Sequence, residues 1–349
     1  MVFFKIFVNL ISKKYLIPLK INIYNMKNTF KAFVIYEDKT SKITNMNFSE
    51  LMEGNVLVKI HYTSFNYKDG LAILNKAPIV KRFPMIPGAD FSGVVVKSSS
   101  KKFKKGDKVL CNGWGIGEKH FGGFSEYAQV KSDWLIHLPN NFSLQEVMII
   151  GAAGYTAALC VQELIKKIKK PTTNNILVTG ASGGVGCIAV NLLANLNYKV
   201  VALTNKDEKF LIKLGATNII RRDSFNYSKN PLSKQKWQGA IDTVGGEILS
   251  TILAETMYDG IVVSTGLAKS ATLNTTVYPF ILRNITLSGI DCVYASYTKR
   301  VNAWKFLEKY LDKRVLKKIK ISKSFNDLHD ISNQILKGEI RGRTLIKVI

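Results

Sequence analysis

The stretch Gly180-Ala-Ser-Gly-Gly-Val-Gly186 decides the fold, because it follows the strand-like run ILVTG (176–180) and precedes the helical run CIAVNLLANL (187–196). Strand, glycine loop and helix in this order are the context in which a glycine motif indicates a dinucleotide site. Glycines let the main chain approach a pyrophosphate, and the helix N-terminus offers free N–H groups and positive potential. Ala181 takes the first position of the G-x-G-x-x-G pattern, with Gly183 and Gly186 in the others. A tight turn that binds no ligand is the alternative.

Around this loop, buried strand-like runs alternate with helical segments. The alternation predicts an α/β fold with a parallel, doubly wound sheet. A helical pattern at 149–170, which Pro171 ends, precedes it. The six strand candidates are ILVTG (176–180), KVVALT (199–204), NIIRR (218–222), GAIDTV (239–244), GIVVSTG (260–266) and ITLSGID (285–291).

The first part of the chain has a different pattern. From about residue 30 to 147, short β-rich runs such as KAFVIYE, NVLVKIHYTSF, FSGVVVKS and KVLCNGW are separated by glycine and proline. This pattern predicts a folded-over, β-rich domain. After about residue 292 come two helical runs and a final strand, TLIKVI, and we expect this tail to return to the first domain.

Composition and charge exclude several classes of protein. The 349 residues are 46% hydrophobic, which is enough for two domains with substantial cores. The net charge is +25, but only eight of the 50 basic residues are arginine. Sequence-specific nucleic-acid readers depend on arginine, so we expect no nucleic-acid partner. A solvated basic surface, or attraction of a phosphorylated cofactor, explains the charge better.

Cysteine spacing indicates the cellular compartment, and hydropathy indicates whether the chain spans a membrane. No two of the four cysteines are closer than 27 residues, which excludes a four-cysteine zinc lobe and a dense disulfide framework. A reducing, cytoplasmic location fits best. No uninterrupted apolar run approaches 18 residues, so we expect no membrane span.

The N-terminal segment stands apart from the rest. Residues 1–25 carry four lysines and no acid, as a transit peptide can, but they contain no arginine and a single serine. We therefore interpret 1–26 as an upstream extension, with Met26 as the working start. A targeting segment is the alternative.

The end of the second parallel strand distinguishes NADPH from NADH. An NAD site places Asp or Glu there to bind the ribose hydroxyls. Here the strand ends Leu203-Thr204-Asn205-Lys206, and Asp207 is one position beyond. A hydroxyl, an amide and an ammonium suit a 2′-phosphate, and Arg222 at the end of the third strand adds a second cation. NADPH is therefore the predicted cofactor, and ordinary surface charge is the alternative for Lys206 and Arg222.

A catalytic metal is not expected. A zinc site needs Cys, His or Glu ligands held together. The candidate loop at 87–93, PGADFSG, has neither His nor Cys, and the four histidines are dispersed. Hydride addition to an activated double bond is therefore favoured over alcohol oxidation.

Several segments together carry a family resemblance. The sequence resembles the zinc-independent medium-chain dehydrogenase/reductase superfamily, and within it the acryloyl-CoA reductase group of the quinone oxidoreductase-like proteins. GWGIGEKHFGG and PFILRN are the most particular matches. The segments are SFNYKDGLA (64–72), FPMIPGADFSG (83–93), NGWGIGEKHFGGFSEYAQVKSDWL (112–135), MIIGAAGYTAALCV (148–161), VTGASGGVG (178–186), GAIDTVGG (239–246), TTVYPFILRNITLSGID (275–291) and GRTLIKV (342–348).

The resemblance implies an architecture and an activity. It implies a GroES-like catalytic domain at 27–147, completed by 290–349, and an NADP-binding Rossmann domain at 148–289. It also implies metal-independent, NADPH-dependent reduction of acryloyl-CoA to propanoyl-CoA by a homodimer. An NADPH-dependent quinone or enone (alkenal) reductase is the first alternative. An NADPH-binding protein without turnover, which binds RNA through its basic surface, is another.

The resemblance also implies site residues. Tyr67 is expected beside the nicotinamide and is the leading side chain for orientation or proton delivery. At the second strand, Thr-Asn-Lys replaces the Ser-Gly-Arg usual in relatives, so a point charge replaces a fork and 2′-phosphate selectivity is expected to be weaker. The cofactor residues implied are Ser182, Gly183, Gly184 and Val185 at the pyrophosphate, Thr204, Asn205 and Lys206 at the 2′-phosphate, Arg222 near the adenine, Leu267 and Ile281 on the nicotinamide side, and Arg343 from the last strand.

Three further expectations concern the rest of the cleft. Asn66 and Asp69 should shape the turn around Tyr67. Arg283 should pair with an internal acid or contact a phosphate. The glycine-rich loop 113–124 should either close over a small acyl group or simply provide turn geometry.

Overall fold

A computed structural model describes residues 29–171 and 174–348. The predicted extension at 1–26 lies outside the described residues. The strands are β1 (Thr29–Ile35), β2 (Ser41–Asn47), β3 (Val56–Phe65), β4 (Asp90–Ser98), β5 (Lys108–Asn112), β6 (Tyr127–Val130), β7 (Leu135–His137), β8 (Asn175–Thr179), β9 (Lys199–Thr204), β10 (Asn218–Arg221), β11 (Trp237–Asp242), β12 (Thr256–Ser264), β13 (Thr286–Gly289), β14 (Lys320–Lys323) and β15 (Arg343–Lys347).

The α-helices connect these strands. They are α1 (Tyr67–Ile73), α2 (Leu144–Lys167), α3 (Gly184–Asn195), α4 (Glu208–Leu214), α5 (Gly246–Glu255), α6 (Tyr278–Arg283), α7 (Tyr297–Tyr310), α8 (Arg314–Ile319) and α9 (Leu328–Leu336).

The second half of the chain forms a six-stranded parallel sheet in the order β10-β9-β8-β11-β12-β13. Each of the six predicted strands is present, which confirms the doubly wound sheet. The first strand, β8, lies at the centre, with β9 and β11 on either side of it. Its residues Ile176 to Thr179 are buried because helices cover both faces of such a sheet. The order reverses at β8, so the crevice at its carboxyl end is where such folds bind ligands.

The first part of the chain and its last strands share a seven-stranded sheet in the order β14-β15-β3-β4-β5-β7, with β6 also paired to β3. β15 pairs antiparallel with β3, and Thr344 is opposite Phe65. The C-terminal segment therefore lies in the same sheet as the β-rich first part. The exact domain boundaries stay predictions.

Helix α2 links the two sheets. Its first turn is capped by Ser143, whose hydroxyl accepts from the Glu146 N–H at 3.2 Å while the Glu146 carboxylate accepts from the Ser143 N–H at 2.8 Å. The helix breaks at Gly151, where φ is 56°. By length and composition α2 could cross a membrane, but 78% of its apolar window is buried within the protein. Its apolar residues thus form the core between the sheets.

Candidate active site

In the glycine loop between β8 and α3, one glycine is required for packing within the protein and another borders space that a ligand can occupy. A Cβ on Gly186 would lie 2.4 Å from the Gly180 oxygen and 2.6 Å from the Ala181 Cα, so this position requires glycine for packing. A Cβ on Gly183 would have a single neighbour within 4 Å, the Gly180 oxygen at 3.2 Å. A side chain at Gly183 would therefore need the Gly180 carbonyl to shift by a few tenths of an ångström, a much smaller conflict than at Gly186. Absence of a side chain there serves close approach of a ligand to the N-terminus of α3, which fits a pyrophosphate.

The glycine loop is bonded to the end of the second strand. The hydroxyls of Ser182 and Thr204 are 3.0 Å apart, and the Thr204 hydroxyl also accepts from the Lys206 N–H at 3.1 Å. The Ser182 carbonyl accepts from the Gly342 N–H at 2.9 Å, next to the last strand. These bonds bring together three of the predicted cofactor residues and set the distance between the pyrophosphate and adenosine ends.

Beyond β9, polar groups surround the predicted adenosine end. The Asn205 amide donates to the Asp223 carboxylate at 2.6 Å, and the Lys206 ammonium donates to the Ile340 carbonyl. Arg222 is exposed and begins the short 3₁₀ turn after β10. Burial lowers the pKa of Lys206, and the charges of Arg222 and Arg341 lower it further against the opposing effect of Glu339.

Asp207 has both carboxylate oxygens engaged. Oδ1 accepts from the Phe210 N–H at 3.1 Å, which caps helix α4, and Oδ2 accepts from the Arg341 guanidinium at 2.5 Å. The charge of Asp207 is therefore already balanced by Arg341, which leaves less negative potential for binding a ribose diol. The surroundings of Lys206 therefore fit a phosphate better than two free hydroxyls.

In the seven-stranded sheet, Asp90 at the start of β4 is the centre of a buried polar network. Its carboxylate accepts from the Ser64 N–H at 2.9 Å, the Ser64 hydroxyl at 2.6 Å and the Ala152 N–H at 2.6 Å. The Ala152 N–H is free to donate because α2 breaks at Gly151. A Cβ on Gly151 would come within 2.4 Å of Ser64 Oγ and of Arg343 Nη2. The break is thus required for the network to close.

Arg343 lies inside this network. Its guanidinium donates to the Ser64 hydroxyl at 2.7 Å and to the Ile149 carbonyl at 3.1 Å. A Cβ on Gly184 would lie 2.8 Å from Arg343 Nη1, so the side chain also lies beneath the first turn of α3. Burial lowers the pKa of Arg343, and Asp90 opposes this effect. Arg343 therefore joins the last strand, the helix junction and the glycine loop, and direct contact with a cofactor stays a prediction.

Tyr67 is the first residue of α1 and is half-buried. The preceding Asn66 donates its N–H to the Asp69 carboxylate at 2.8 Å, which confirms that these two residues shape the turn. Asp69 is fully buried, and burial raises its pKa to about 7, although Lys68 opposes this. Within 29–171 and 174–348, the Tyr67 hydroxyl forms no hydrogen bond, which leaves it free for a ligand.

The glycine-rich loop 113–124 packs against the chain rather than standing away from it. A Cβ on Gly122 would lie 2.3 Å from the Gly88 oxygen, and the His120 imidazole contacts the Glu53 carbonyl at 3.0 Å. Buried Arg300 lies 4.2 Å from the Trp114 ring centroid and donates to the Asn112 and Val293 carbonyls. These contacts support the turn-geometry interpretation. Closure over an acyl group stays a prediction.

Two predicted residues lie on the far end of the parallel sheet. Leu267, just after β12, and Ile281, on α6, are 60% and 68% exposed. Arg283 ends α6 and donates to the main-chain carbonyls of Ala254, Thr256 and Ser233. The prediction that Arg283 pairs with an acid was therefore wrong, because its hydrogen bonds among the described residues go to carbonyl groups, and contact with a phosphate stays a prediction. Contact of Leu267 and Ile281 with a nicotinamide stays a prediction.

Two family models match the chain. The alcohol dehydrogenase GroES-like domain matches residues 52–140, and the zinc-binding dehydrogenase model matches residues 184–309. The "Probable acrylyl-CoA reductase AcuI" of Escherichia coli K12 is 44% identical over 310 residues, 88% of this chain and 95% of that protein. The chain belongs to the acrylyl-CoA reductase (AcuI/YhdH) group of the medium-chain dehydrogenases/reductases.

Solved structures of this group have the same fold. The yhdH oxidoreductase of Salmonella enterica, in complex with NADP, has a TM-score of 0.89 and 42% identity, covering 91% of this chain and all of that one. Protein yhfP of Bacillus subtilis, with NAD bound, has a TM-score of 0.87 and 39% identity over 92% of this chain and all of that one. YhfP is named a putative quinone oxidoreductase. The group thus includes proteins solved with either dinucleotide.

The zinc of the second family model's name does not fit this site. In the loop 87–93, the one carboxylate is Asp90, whose oxygens are taken by Ser64 and Ala152. Among the residues the structure describes, no three His, Cys, Asp or Glu side chains are grouped to hold a metal. The described residues therefore do not form a zinc site at this loop.

Sequence reasoning missed Ser64, Asp90, Arg300 and Arg341 as functional neighbours. Ser64 and Asp90 lie in segments that carry the family resemblance, but neither segment shows that the two side chains bond to each other. For Arg341 the sequence does contain a signal: two of the chain's eight arginines fall within 341–343, directly before the final strand. Because this chain is otherwise rich in lysine, a pair of arginines at that place indicates a need for the guanidinium group.

Proposed function

We propose that this chain catalyses the NADPH-dependent reduction of acryloyl-CoA to propanoyl-CoA, as an oxidoreductase acting on CH–CH groups. The observation that carries the proposal is the 44% identity to a probable acrylyl-CoA reductase over 88% of the chain. The glycine loop and the cations beyond β9 support it, since they suit the pyrophosphate and the 2′-phosphate. A small acyl-CoA thioester is the proposed substrate.

NADPH, when bound, supplies the hydride that is added to the β-carbon of the thioester. Ser182, Gly183, Gly184 and Val185 hold the pyrophosphate at the N-terminus of α3. The residues beyond the second strand hold the adenosine end, and those proposed on the nicotinamide side flank the ring. The adenosine residues are Thr204, Asn205, Lys206 and Arg222, and the nicotinamide residues are Tyr67, Leu267 and Ile281, with Arg343 beneath the glycine loop.

The chain's own groups must stabilise the negative charge that develops on the thioester oxygen and return a proton to the α-carbon. Tyr67 is the proposed side chain for this work, because its hydroxyl has no partner among the described residues. Main-chain N–H groups of the cleft supply the remaining stabilisation. The buried network around Asp90 orients the strand end that carries Tyr67, since Ser64 lies three residues before it.

A second candidate is an NADPH-dependent quinone or enone (alkenal) reductase. The likeness to YhfP, a putative quinone oxidoreductase solved with NAD bound, favours it. The same cleft would serve, because an enone and an acryloyl thioester present the same electrophilic β-carbon.

A cytoplasmic homodimer with no nucleic-acid or membrane partner completes the proposal. The parallel sheet ends at β13, which pairs on one side only with β12 in the described chain. Beside that edge, Val277, Ile281 and Leu282 are 63%, 68% and 56% exposed. Apolar side chains at an unpaired sheet edge support association with a second copy of the chain.

Parallel turnover assays test the function. Oxidation of NADPH and of NADH by the full-length protein is followed with acryloyl-CoA, crotonyl-CoA, a free alkenal and a quinone. The proposal predicts the highest kcat/KM for acryloyl-CoA with NADPH. Turnover of the alkenal or quinone alone would replace the first candidate with the second. No turnover with any acceptor, despite NADPH binding, would contradict both.

A further inference from the structure

The chain immediately before the last strand borders the proposed adenosine end. The Gly342 N–H donates to the Ser182 carbonyl, and the Ile340 carbonyl accepts from the Lys206 ammonium. Between them, the Arg341 guanidinium pairs with Asp207 at 2.5 Å and lies 4.6 Å from the Phe210 ring centroid. The Arg341 side chain, which lies just before the last strand of the seven-stranded sheet, is thus held beside the second strand of the parallel sheet.

Three cations meet at this place. The charges of Arg222 and Arg341 both act on Lys206, whose ammonium is partly buried. Two carboxylates, Asp207 and Glu339, also face the group. Asp207 is already bound by Arg341 and by the cap of α4. A phosphate dianion would relieve the repulsion among the three cations, whereas a neutral ribose hydroxyl would not.

We propose that Arg341 is a specificity-determining residue for the adenosine 2′-phosphate of NADPH. The second strand offers Lys206, a point charge, where a guanidinium would give a fork of donors. Arg341 supplies that planar fork from the other end of the chain. The proposal rests on the proposed use of NADPH and deepens it, because it assigns the residue that separates NADPH from NADH.

The pair with Asp207 gives Arg341 a second effect. A guanidinium has five N–H donors, and within 29–171 and 174–348 the side chain of Arg341 forms a hydrogen bond to Asp207 alone. Its remaining N–H groups can therefore donate to a phosphate while Asp207 stays neutralised. Without Arg341, the Asp207 carboxylate would repel the 2′-phosphate. Both effects favour NADPH over NADH.

Binding measurements test this assignment independently of turnover. Dissociation constants for NADPH, NADH, 2′,5′-ADP and 5′-AMP are measured by titration calorimetry on the full-length wild type and on Arg341→Gln, Arg341→Lys and Arg314→Gln. Arg314 is the matched control, because it is an exposed arginine paired with an aspartate, Asp312. Loss of a charge-assisted hydrogen bond predicts that Arg341→Gln weakens NADPH and 2′,5′-ADP by about tenfold or more. NADH and 5′-AMP binding should not weaken.

The conservative and control variants sharpen the result. Arg341→Lys keeps the charge but loses the fork, so its NADPH affinity should fall between those of the wild type and Arg341→Gln. Arg314→Gln should match the wild type with every nucleotide. Equal weakening of NADPH and NADH by Arg341→Gln would overturn the assignment in favour of loop positioning. Unchanged NADPH binding would overturn it as well.

Asp207→Asn provides a second variant that does not remove the arginine. Asparagine is as good a helix cap as aspartate, so α4 is retained. Removing the negative charge frees Arg341, and 2′,5′-ADP should bind more tightly than to the wild type. Weaker binding would overturn the proposal. A wild type that binds NADPH and NADH equally would overturn the proposed cofactor itself, which distinguishes that failure from failure of Arg341 alone.

Discussion

The glycine loop and the Asp90 network meet at Arg343, and they are built from the chain in opposite ways. The loop is seven consecutive residues, Gly180 to Gly186, whose geometry follows from main-chain packing. The network joins Ser64, Asp90, Ala152 and Arg343, and its longest hydrogen-bonded pair is separated by 279 residues.

This difference has an energetic consequence. The glycine loop contains no charged side chain. A substitution there therefore lowers the unfolding free energy mainly when the added Cβ collides with the main chain. The network buries a carboxylate and a guanidinium that share a serine hydroxyl, so removal of either leaves the other without its partner. We therefore expect substitutions in the Asp90 network to act mainly on the stability of the fold, and substitutions in the glycine loop to act mainly on cofactor affinity.

The largest expected effect is that of Arg343→Met on folding. Methionine fills part of the volume but leaves Asp90 buried without the guanidinium. Breaking a buried ionic network in this way costs about 3–5 kcal/mol of unfolding free energy. Urea unfolding followed by circular dichroism measures it.

The matched control is Arg314→Met, because Arg314 is 88% exposed and its ion pair is solvated. That variant should unfold within about 0.5 kcal/mol of the wild type. Equal urea midpoints for Arg343→Met and the wild type would mean that Arg343 is not a structural link between the network and the glycine loop.

The next effect is on turnover, through Tyr67→Phe. If the hydroxyl orients the thioester or delivers the proton, kcat should fall by about 100-fold, a usual contribution of a positioned acid or base. The dissociation constant of NADPH should stay as in the wild type. Tyr297→Phe, at an exposed tyrosine on α7, is the control. An unchanged kcat would reduce Tyr67 to a packing surface for the nicotinamide.

Two substitutions in the glycine loop distinguish a glycine required for packing from a glycine that leaves space for the cofactor. Gly186→Ala forces a methyl against the Ala181 main chain and should cost about 1–3 kcal/mol of unfolding free energy. Gly183→Ala meets only the Gly180 oxygen, at 3.2 Å, so it should lose less stability than Gly186→Ala while its affinity for NADPH falls. Titration calorimetry and urea unfolding on both variants give the answer. Equal loss of stability in the two variants would contradict the separation.

The smallest expected effect is a change in the pH dependence of stability, through Asp69→Asn. The folded pKa of Asp69 is about 7, above the ordinary value of 3.8. Between these values the folded protein keeps a proton that the unfolded chain has lost, so this group stabilises the fold at low pH and the effect is lost as pH rises through 7. The slope for one such proton is about −1.4 kcal/mol per pH unit.

Unfolding free energies measured from pH 5 to 6.5 test this prediction. The slope for Asp69→Asn should be more positive than the wild-type slope by about 1.4 kcal/mol per pH unit. The charged groups that act on Asp69, Lys68, Asp90 and Arg343, are present in both proteins, so their effect largely cancels. Asp133→Asn, at a 72% exposed carboxylate, should keep the wild-type slope. Parallel curves for Asp69→Asn and the wild type would contradict the raised pKa.

The parts of the fold that could be predicted are those set by neighbours in the chain. All six parallel strands were identified, because buried runs between helices carry a local pattern; for β12 the predicted 260–266 is observed at Thr256–Ser264. The glycine loop was likewise recognisable from consecutive residues. The hydrogen bond from Gly342 to Ser182 could not be predicted, since it depends on how the last strand docks on β3.

The candidate site was predictable to the same extent. Ser182, Thr204 and Lys206 lie together as expected, because the ends of adjacent parallel strands meet at one edge. The pairing of Arg283 with an acid was wrongly predicted, since a sequence does not show that main-chain carbonyls will bind a guanidinium. Arg341 was missed because its partner, Asp207, is 134 residues away.

The most direct test of the account is the position of the transferred hydrogen in the product. The protein is given acryloyl-CoA with NADPH deuterated at the transferable position, and then ordinary NADPH in deuterated water. Mass spectrometry and NMR of the propanoyl-CoA should place the cofactor deuterium on the β-carbon and the solvent deuterium on the α-carbon. Cofactor deuterium on the α-carbon, or none in the product, would contradict hydride delivery across this cleft.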